Sequence, residues 1–420
     1  MKKAKWMLCL FVASIFLCSN VAHATNALLE KLVEKGYITE EEARDIERSE
    51  REEKEKEKKD LVSLLKPFKG VEYVKVGALG YVDFSAGEQW RGTRGNPENF
   101  HRNRWKITRG YLNIKVKNTP WLGFRITPDV HLDDFGDVKL RIKYYYAQFN
   151  LPWKNSLFSK TWVEIGQGHF PLLDYQEHIN PYRCQGTMFQ ERFHNFNSAD
   201  RGIGIIGLLG GEVREDYQKS VEFGDKYPGK YGSYHIGFYN GCGYHAKEQN
   251  NNKPFEGRLS LRPFGNLLPN FQITYFMVRG KGNNPDHKDW NWHVNTIFTS
   301  FQHKYFVVTA EYARNKGDQA GNDEFDREGY SLFTWVRCPW HMPLRVHFRY
   351  DSWNPNIDRA NDSVDHYIAG ISYDVFKHSM FMLNYESFHY NSYFDPQEIG
   401  HKSGTHVWDN RIQLVYQIAF

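Results

Sequence analysis

Beyond residue 65 the chain alternates. Val74, Val76, Ala78, Val82 and Phe84 are set against Tyr73, Lys75 and Asp83, and Leu112, Ile114 and Val116 against Asn113, Lys115 and Lys117. Leu344, Val346, Phe348 and Tyr350 interleave with Arg345, His347, Arg349 and Asp351 in the same way. Successive side chains of a strand point to opposite faces, so a period of two predicts strands with one apolar and one polar face. Thirteen further stretches carry the pattern, among them 122–131, 139–150, 160–170, 201–210, 292–301 and 406–420, which makes sixteen predicted strands. The even number lets both ends of an up-and-down barrel lie on one side.

The connections alternate in length. Those at 85–103, 132–138, 171–200, 241–255, 280–291, 315–327, 354–363 and 391–405 form one set, mostly long and rich in Asn, Asp, Gly and Pro. The other set includes tight turns such as Asn118 to Pro120, Gln302-His303 and Phe376 to His378. Long loops on one side and short turns on the other describe an outer-membrane barrel. The connection 211–230 breaks the rule, falling on the short side yet spanning twenty residues. The final strand alternates Ile412, Leu414, Tyr416, Ile418 and Phe420 with Arg411, Gln413 and Gln417. In a soluble sandwich that apolar stripe would be left exposed.

The first 65 residues read differently. Lys2, Lys3 and Lys5, an apolar stretch Trp6 to Leu17 and Ala22-His23-Ala24 predict an export signal over 1–24. Residues 25–65 are expected to form a charged helical or coiled-coil-like periplasmic segment, with 66–420 as the barrel. Gly36 is placed to end a first helix, and Thr39 with Glu42 forms a capping-box pattern opening a second. Residues 26–60 hold 13 acids and 9 bases, a net −4, and suit a solvated spacer or a helix that pairs with copies of itself.

Composition narrows the function. A net charge of +4 on 420 residues gives no reason to expect nucleic acid as a partner, and aromatics at 16% exclude disorder over most of the chain. No HExxH, GxSxG or Walker-type run occurs, so the chain is read as a channel and not an enzyme, with no cofactor or metal. Gly202 to Gly207 matches GxGxxG, but lies within a predicted strand where close backbone packing explains the glycines. Signal cleavage leaves Cys184, Cys242 and Cys338; Cys184 and Cys242 share the long-loop side and could be bridged, with three unpaired thiols as the equal alternative. Trp90, Trp121, Trp153, Trp290, Trp292, Trp340 and Trp353 fall near strand ends, as interfacial anchors do.

Alternation also assigns faces. If the apolar set meets lipid, Arg109, Lys115, Lys117, Arg125, Lys139, Arg141, Lys143, Arg258, Arg262, Arg345, Arg349 and Arg411 point into the lumen. Asp129, Glu164, Glu311, Asp351, Glu386 and Asp409 face them, leaving the wall positive and attractive to anions. Sixteen strands enclose an aqueous lumen, so selectivity requires something to narrow it. The connection 171–200, with Arg183, Glu191 and Arg192 among five aromatics, is expected to fold inward as that constriction.

The stretch Val163 to Pro171, Phe189-Gln190-Glu191-Arg192 and Asp200-Arg201-Gly202-Ile203-Gly204 resemble the phosphate-selective porin O and P family. So do Trp105 to Lys117, Tyr239-Asn240-Gly241 and Gly257-Arg258-Leu259 with Pro263. The resemblance spans roughly 70–420. It implies a sixteen-stranded, trimeric outer-membrane channel whose third long loop constricts the pore, with basic residues on the wall handling anions. Porins of that family place lysines near the constriction, whereas 171–200 contains no Lys. The expected function is passive passage of small hydrophilic solutes with a mild anion preference, extending to phosphate through the resemblance. The expected partners are outer-membrane lipid, further copies in a homotrimer, and the cell wall through 26–60. A sugar or oligosaccharide channel, an outer-membrane enzyme and an envelope-tethering protein are the alternatives.

Overall fold

A computed structural model describes residues 71–93, 96–132, 136–153, 155–221, 226–339, 342–376, 378–395 and 407–420, with scattered positions between 32 and 49. The export signal lies outside the described residues. The chain divides into two compact units, 1–74 and 75–420. In the first, Thr39 and Glu42 close a reciprocal capping box: the Thr39 amide donates to Glu42 Oε2 at 2.7 Å, and the Glu42 amide to Thr39 Oγ1 at 3.2 Å. Helical residues follow at 41, 42, 45, 46, 48 and 49.

The second unit is a closed antiparallel barrel of sixteen strands in chain order. They are β1 (Tyr73–Thr93), β2 (Asn96–Lys117), β3 (Leu122–Leu132), β4 (Val138–Asn150), β5 (Phe158–His169), β6 (Ala199–Leu209), β7 (Gly232–Tyr239) and β8 (Phe255–Leu261). Then come β9 (Phe271–Lys281), β10 (Asn291–His303), β11 (Phe306–Lys316), β12 (Asp326–Arg337), β13 (Leu344–Asn354), β14 (Val364–Phe376), β15 (Ser379–Tyr390) and β16 (Val407–Ala419). The apolar C-terminal strand closes the barrel on β1, in register from Leu79↔Ala419 to Trp90↔Val407. All sixteen predicted strands are present. Outward residues such as Ile297, Val308, Leu332, Val346 and Ile412 are exposed, while inward Thr296, Ser331, Asp351 and Gln413 are buried. No helix among the described residues is long and apolar enough to cross a membrane; the chain crosses with strands.

Two connections depart from expectation. Residues 85–103 are not a long loop: β1 and β2 run on for 21 and 22 residues and leave only 94–95 between them. Around Ser85–Gln89 both faces are polar, so the alternation that marks a lipid-facing strand fades while pairing continues. The anomalous 211–230 holds a short helix, Glu215–Ser220, and a bridge from Glu212 to Gly229. The glycines of 202–207 are packing residues. A Cβ at Gly202 would collide with the Phe238 carbonyl of β7, and one at Gly207 with the Tyr234 ring.

Candidate functional site

The connection 171–200 lies inside the barrel. Pro171 starts helix α1 (Pro171–Glu177), supplying a fixed φ where no N–H is needed; a 3-10 turn (Arg183–Gln185) and a second short helix, α2 (Phe189–Arg192), follow. Its apolar side chains meet one half of the wall. Phe170, Leu172, Leu173 and Phe196 pack on Phe276 and Val278 of β9 and on Trp292 and Val294 of β10. Phe189 and Phe193 pack on Trp353, Val364 and Phe388 of β13 to β15. Tyr175, Ile179, Tyr182 and Cys184 join Phe298, Phe333, Trp335, Met382 and Val415. An apolar core therefore fills the interior along β9 to β16. Trp292 and Trp353 belong to it and are not interfacial anchors: Trp292 Nε1 donates to the Asn195 carbonyl at 3.0 Å, and Trp353 stacks on Phe193.

Polar groups fix the loop's position. Gln190 Nε2 donates to Thr296 at 2.8 Å and to Glu311 at 2.6 Å, and Gln176 reaches the other oxygen of Glu311. Tyr182 is hydrogen-bonded to Ser372, and Arg349 donates to the Thr187 carbonyl. Arg192 pairs with Glu386 at 2.8 Å. Glu386 also takes Arg411 and His366, and His366 bridges on to Asp351, which pairs with Arg349. The short-side connection enters too: Lys226 pairs with Asp174 at 2.7 Å, and Arg258 lies between the rings of Tyr175 and Tyr227. Lys226 holds the Asp174 carboxyl well below the usual range against the upward push of burial. Glu177, also buried, is brought down to about 2, chiefly by Lys143 and then by Arg183 and Arg109.

The expected basic residues thus fall into groups with different surroundings. Arg345 pairs with Asp374, Arg349 with Asp351, and Arg411 with Glu386, along the half of the wall the loop covers. Arg262, next to β8, donates to the carbonyls of Tyr227, Gly229 and Pro269. In the loop, Arg183 pairs with both Glu177 and Glu191. On β2 to β4 the arrangement is different. Arg141 pairs with Asp129, but among the described residues no carboxylate lies within 4.0 Å of Arg109, Lys115, Arg125 or Lys143. Arg125 donates to Asn113 and Thr127 and lies 4.4 Å from the Tyr144 ring centroid. Lys143 donates to the Tyr111 hydroxyl at 3.0 Å, and Arg109 lies over the same ring. Lys115 is exposed, Arg109 and Arg125 are half-buried, and Lys143 is buried.

Sequence reasoning missed His366, the Gln176–Glu311–Gln190 cluster and the Lys226 contact. One signal was available: β9 and β10 carry apolar residues on both faces, as in Tyr275-Phe276-Met277-Val278, which a water-lined wall would not. Of the two alternatives for the cysteines, the structure has the unpaired one: there is no Cys184–Cys242 bridge. Cys184 packs on Met382 inside the barrel, and Cys242 sits beside Asp200 and Gly243, each as a free thiol. Shared loop side did not bring them together, because only one of the two loops folds deep into the lumen. Among the described residues, no group of three or more His, Cys, Asp or Glu is placed to hold a metal.

No model of a known protein family and no curated protein matches the chain. Solved structures do. The outer membrane channel DcaP of Acinetobacter baumannii is similar at TM-score 0.53 and 12% identity, over 83% of this chain and 97% of that one. An anion-selective porin from Comamonas acidovorans gives 0.54 and 10%, over 83% and 100%. Salmonella typhi OmpF gives 0.52 and 11%, over 84% and 98%. The fold is that of bacterial outer-membrane porins. With its apolar exterior and strand-only crossing, the protein is located in the bacterial outer membrane.

Proposed function

We propose that the protein is a passive channel for small hydrophilic solutes with a preference for anions. In this reading the open passage runs between the inward loop and β2 to β4. One observation carries it: the exposed Lys115 and the half-buried Arg109 and Arg125 have no carboxylate within 4.0 Å among the described residues, whereas the basic residues of β13 and β16 each pair with one. In a confined passage, cations with no carboxylate in contact raise the local anion concentration. The loop 171–200 narrows the lumen from the opposite wall. The resemblance extends the preference to phosphate, and trimeric assembly and a periplasmic spacer at 25–65 complete the proposal.

Reversal potentials of the purified barrel in a planar bilayer under a KCl gradient test it. A chloride-favouring potential that moves on addition of phosphate is the expected result. A cation-favouring potential, or folded barrel with no conductance, would overturn it.

A further inference from the structure

The lipid-facing wall is not smooth. Between β5 and β9 it holds a groove of about 440 Å³ lined chiefly by Trp153, Phe158, Tyr234, Phe255, Gly257 and Met277, and touched by Arg258, whose guanidinium lies inside by Tyr175 and Tyr227. Two glycines make it. Gly257, paired with Ile236 on one side and Met277 on the other, lets the Phe255 ring lie across the floor; a Cβ at 257 would meet that ring at 2.9 Å. Gly207 lets the Tyr234 ring lie across β6, where its hydroxyl is hydrogen-bonded to Thr161 at 2.9 Å; a Cβ at 207 would meet the ring at 2.7 Å. The wall is also lowest here, since β7 and β8 have 8 and 7 residues where their neighbours β6 and β9 have 11.

We infer that the groove holds one acyl chain of a phospholipid from the periplasmic leaflet. An apolar concavity facing the bilayer has only hydrocarbon to fill it, and short strands require lipid to adapt to a reduced apolar height. The groove's lower end fixes the leaflet. Trp153 lies in the turn between β4 and β5, on the short-turn side that barrels of this kind direct to the periplasm. An exposed indole there suits the headgroup boundary. Lys230, just before β7, lies 5.1 Å from the Tyr231 ring centroid and is paired with no carboxylate among the described residues. It supplies the positive charge a lipid phosphate requires. This inference depends on the barrel and its membrane setting, not on the anion preference proposed for the lumen.

Native mass spectrometry of the full-length protein, partly delipidated and titrated with phosphatidylglycerol, tests it. The wild type is expected to retain one phospholipid per chain. Gly257→Val, which pushes the Phe255 ring into the groove and displaces about two methylenes, is expected to weaken retention roughly tenfold. Val308→Phe, on the lipid face of β11 outside the groove, is expected to behave as wild type. Where Gly257→Val fails to give folded barrel, Met277→Trp fills the same space from β9 and is read identically. Equal retention by wild type and the filled variants would overturn the inference. Loss of oligomer with unchanged lipid would assign the groove to a second copy of the chain, and would overturn it too.

Discussion

Lys115 is the position where the proposed selectivity is most directly exposed to test. It lies on the inner face of β2, is exposed, and has no carboxylate within 4.0 Å among the described residues. A unit charge about 7 Å from a permeating ion in water is worth ~0.6 kcal/mol. At 0.1 M salt, where the Debye length is about 10 Å, roughly half of that survives. Neutralising the lysine raises the energy of an anion in the passage and lowers that of a cation by the same amount. Lys115→Gln should therefore reduce the chloride-to-potassium permeability ratio about threefold. Arg349→Gln provides the contrast: its guanidinium is buried against Asp351 behind the loop, so it should affect stability and leave the ratio nearly unchanged. Reversal potentials of the two variants and the wild type under one KCl gradient decide the matter. If Lys115→Gln leaves the reversal potential where it was, or if Arg349→Gln moves it as far, the division of the interior into an open basic wall and a neutralised covered one is wrong.

Other consequences can be measured separately. Glu386→Gln leaves Arg192 and Arg411 buried without their carboxylate, a loss of about 3–5 kcal/mol, and should lower the temperature at which the folded band on a gel converts to the unfolded one. The same variant should make single-channel current noisier as α2 loses its anchor. Glu177 and Asp174 have lowered folded-state pKa values, so their contribution is present above the ordinary carboxylate range and disappears as pH falls towards about 2. Glu177→Gln should accordingly lower the unfolding temperature by the same amount at pH 8 and at pH 5; a penalty that vanishes by pH 5 would contradict the placement of this carboxylate. Burial pushes the Cys184 thiol up to about 12 and the Cys242 thiol up to about 11. In folded protein a maleimide should label Cys338 ahead of both, and peptide mass spectrometry without reductant should show no Cys184–Cys242 bridge.

The strand count was legible because the bilayer imposes it. Wherever one face meets lipid and the other a polar interior, as in Leu344 to Asp351, the sequence must alternate. Legibility faded at both margins of that rule. Above the lipid, Ser85 to Gln89 and Asn96 to Asn103 keep their hydrogen-bonded partners but lose the apolar face, and they read as loop. Inside, β9 and β10 lose the polar face because α1 and the chain around Phe196 cover them. The inward fold of 171–200 could be inferred from its aromatics and length. The side it leans on depends on contacts such as Trp353 with Phe193, which pair residues far apart in the chain and leave no local trace. The cations could be assigned to the inner face by parity alone. Which of them meets a carboxylate depends on neighbours across strands and on the loop, as with Arg192 and Glu386.

The position of the loop also bears on the order of assembly. It is made between the fifth and sixth strands, yet its anchors are among the last: Tyr182 meets Ser372 across 190 positions, Arg192 meets Glu386 across 194, and the Gln185 carbonyl meets Arg411 across 226. Contacts of such separation form late, after the intervening chain has been brought into place. The loop can therefore seat on β9 to β11 first, through Trp292, Thr296 and Glu311, while the contacts of Tyr182, Gln185 and Arg192 wait for the last three strands. Closing the cylinder and fixing the far side of the loop are one event, so a chain stalled short of its last strand would hold the loop by its β9 to β11 contacts alone.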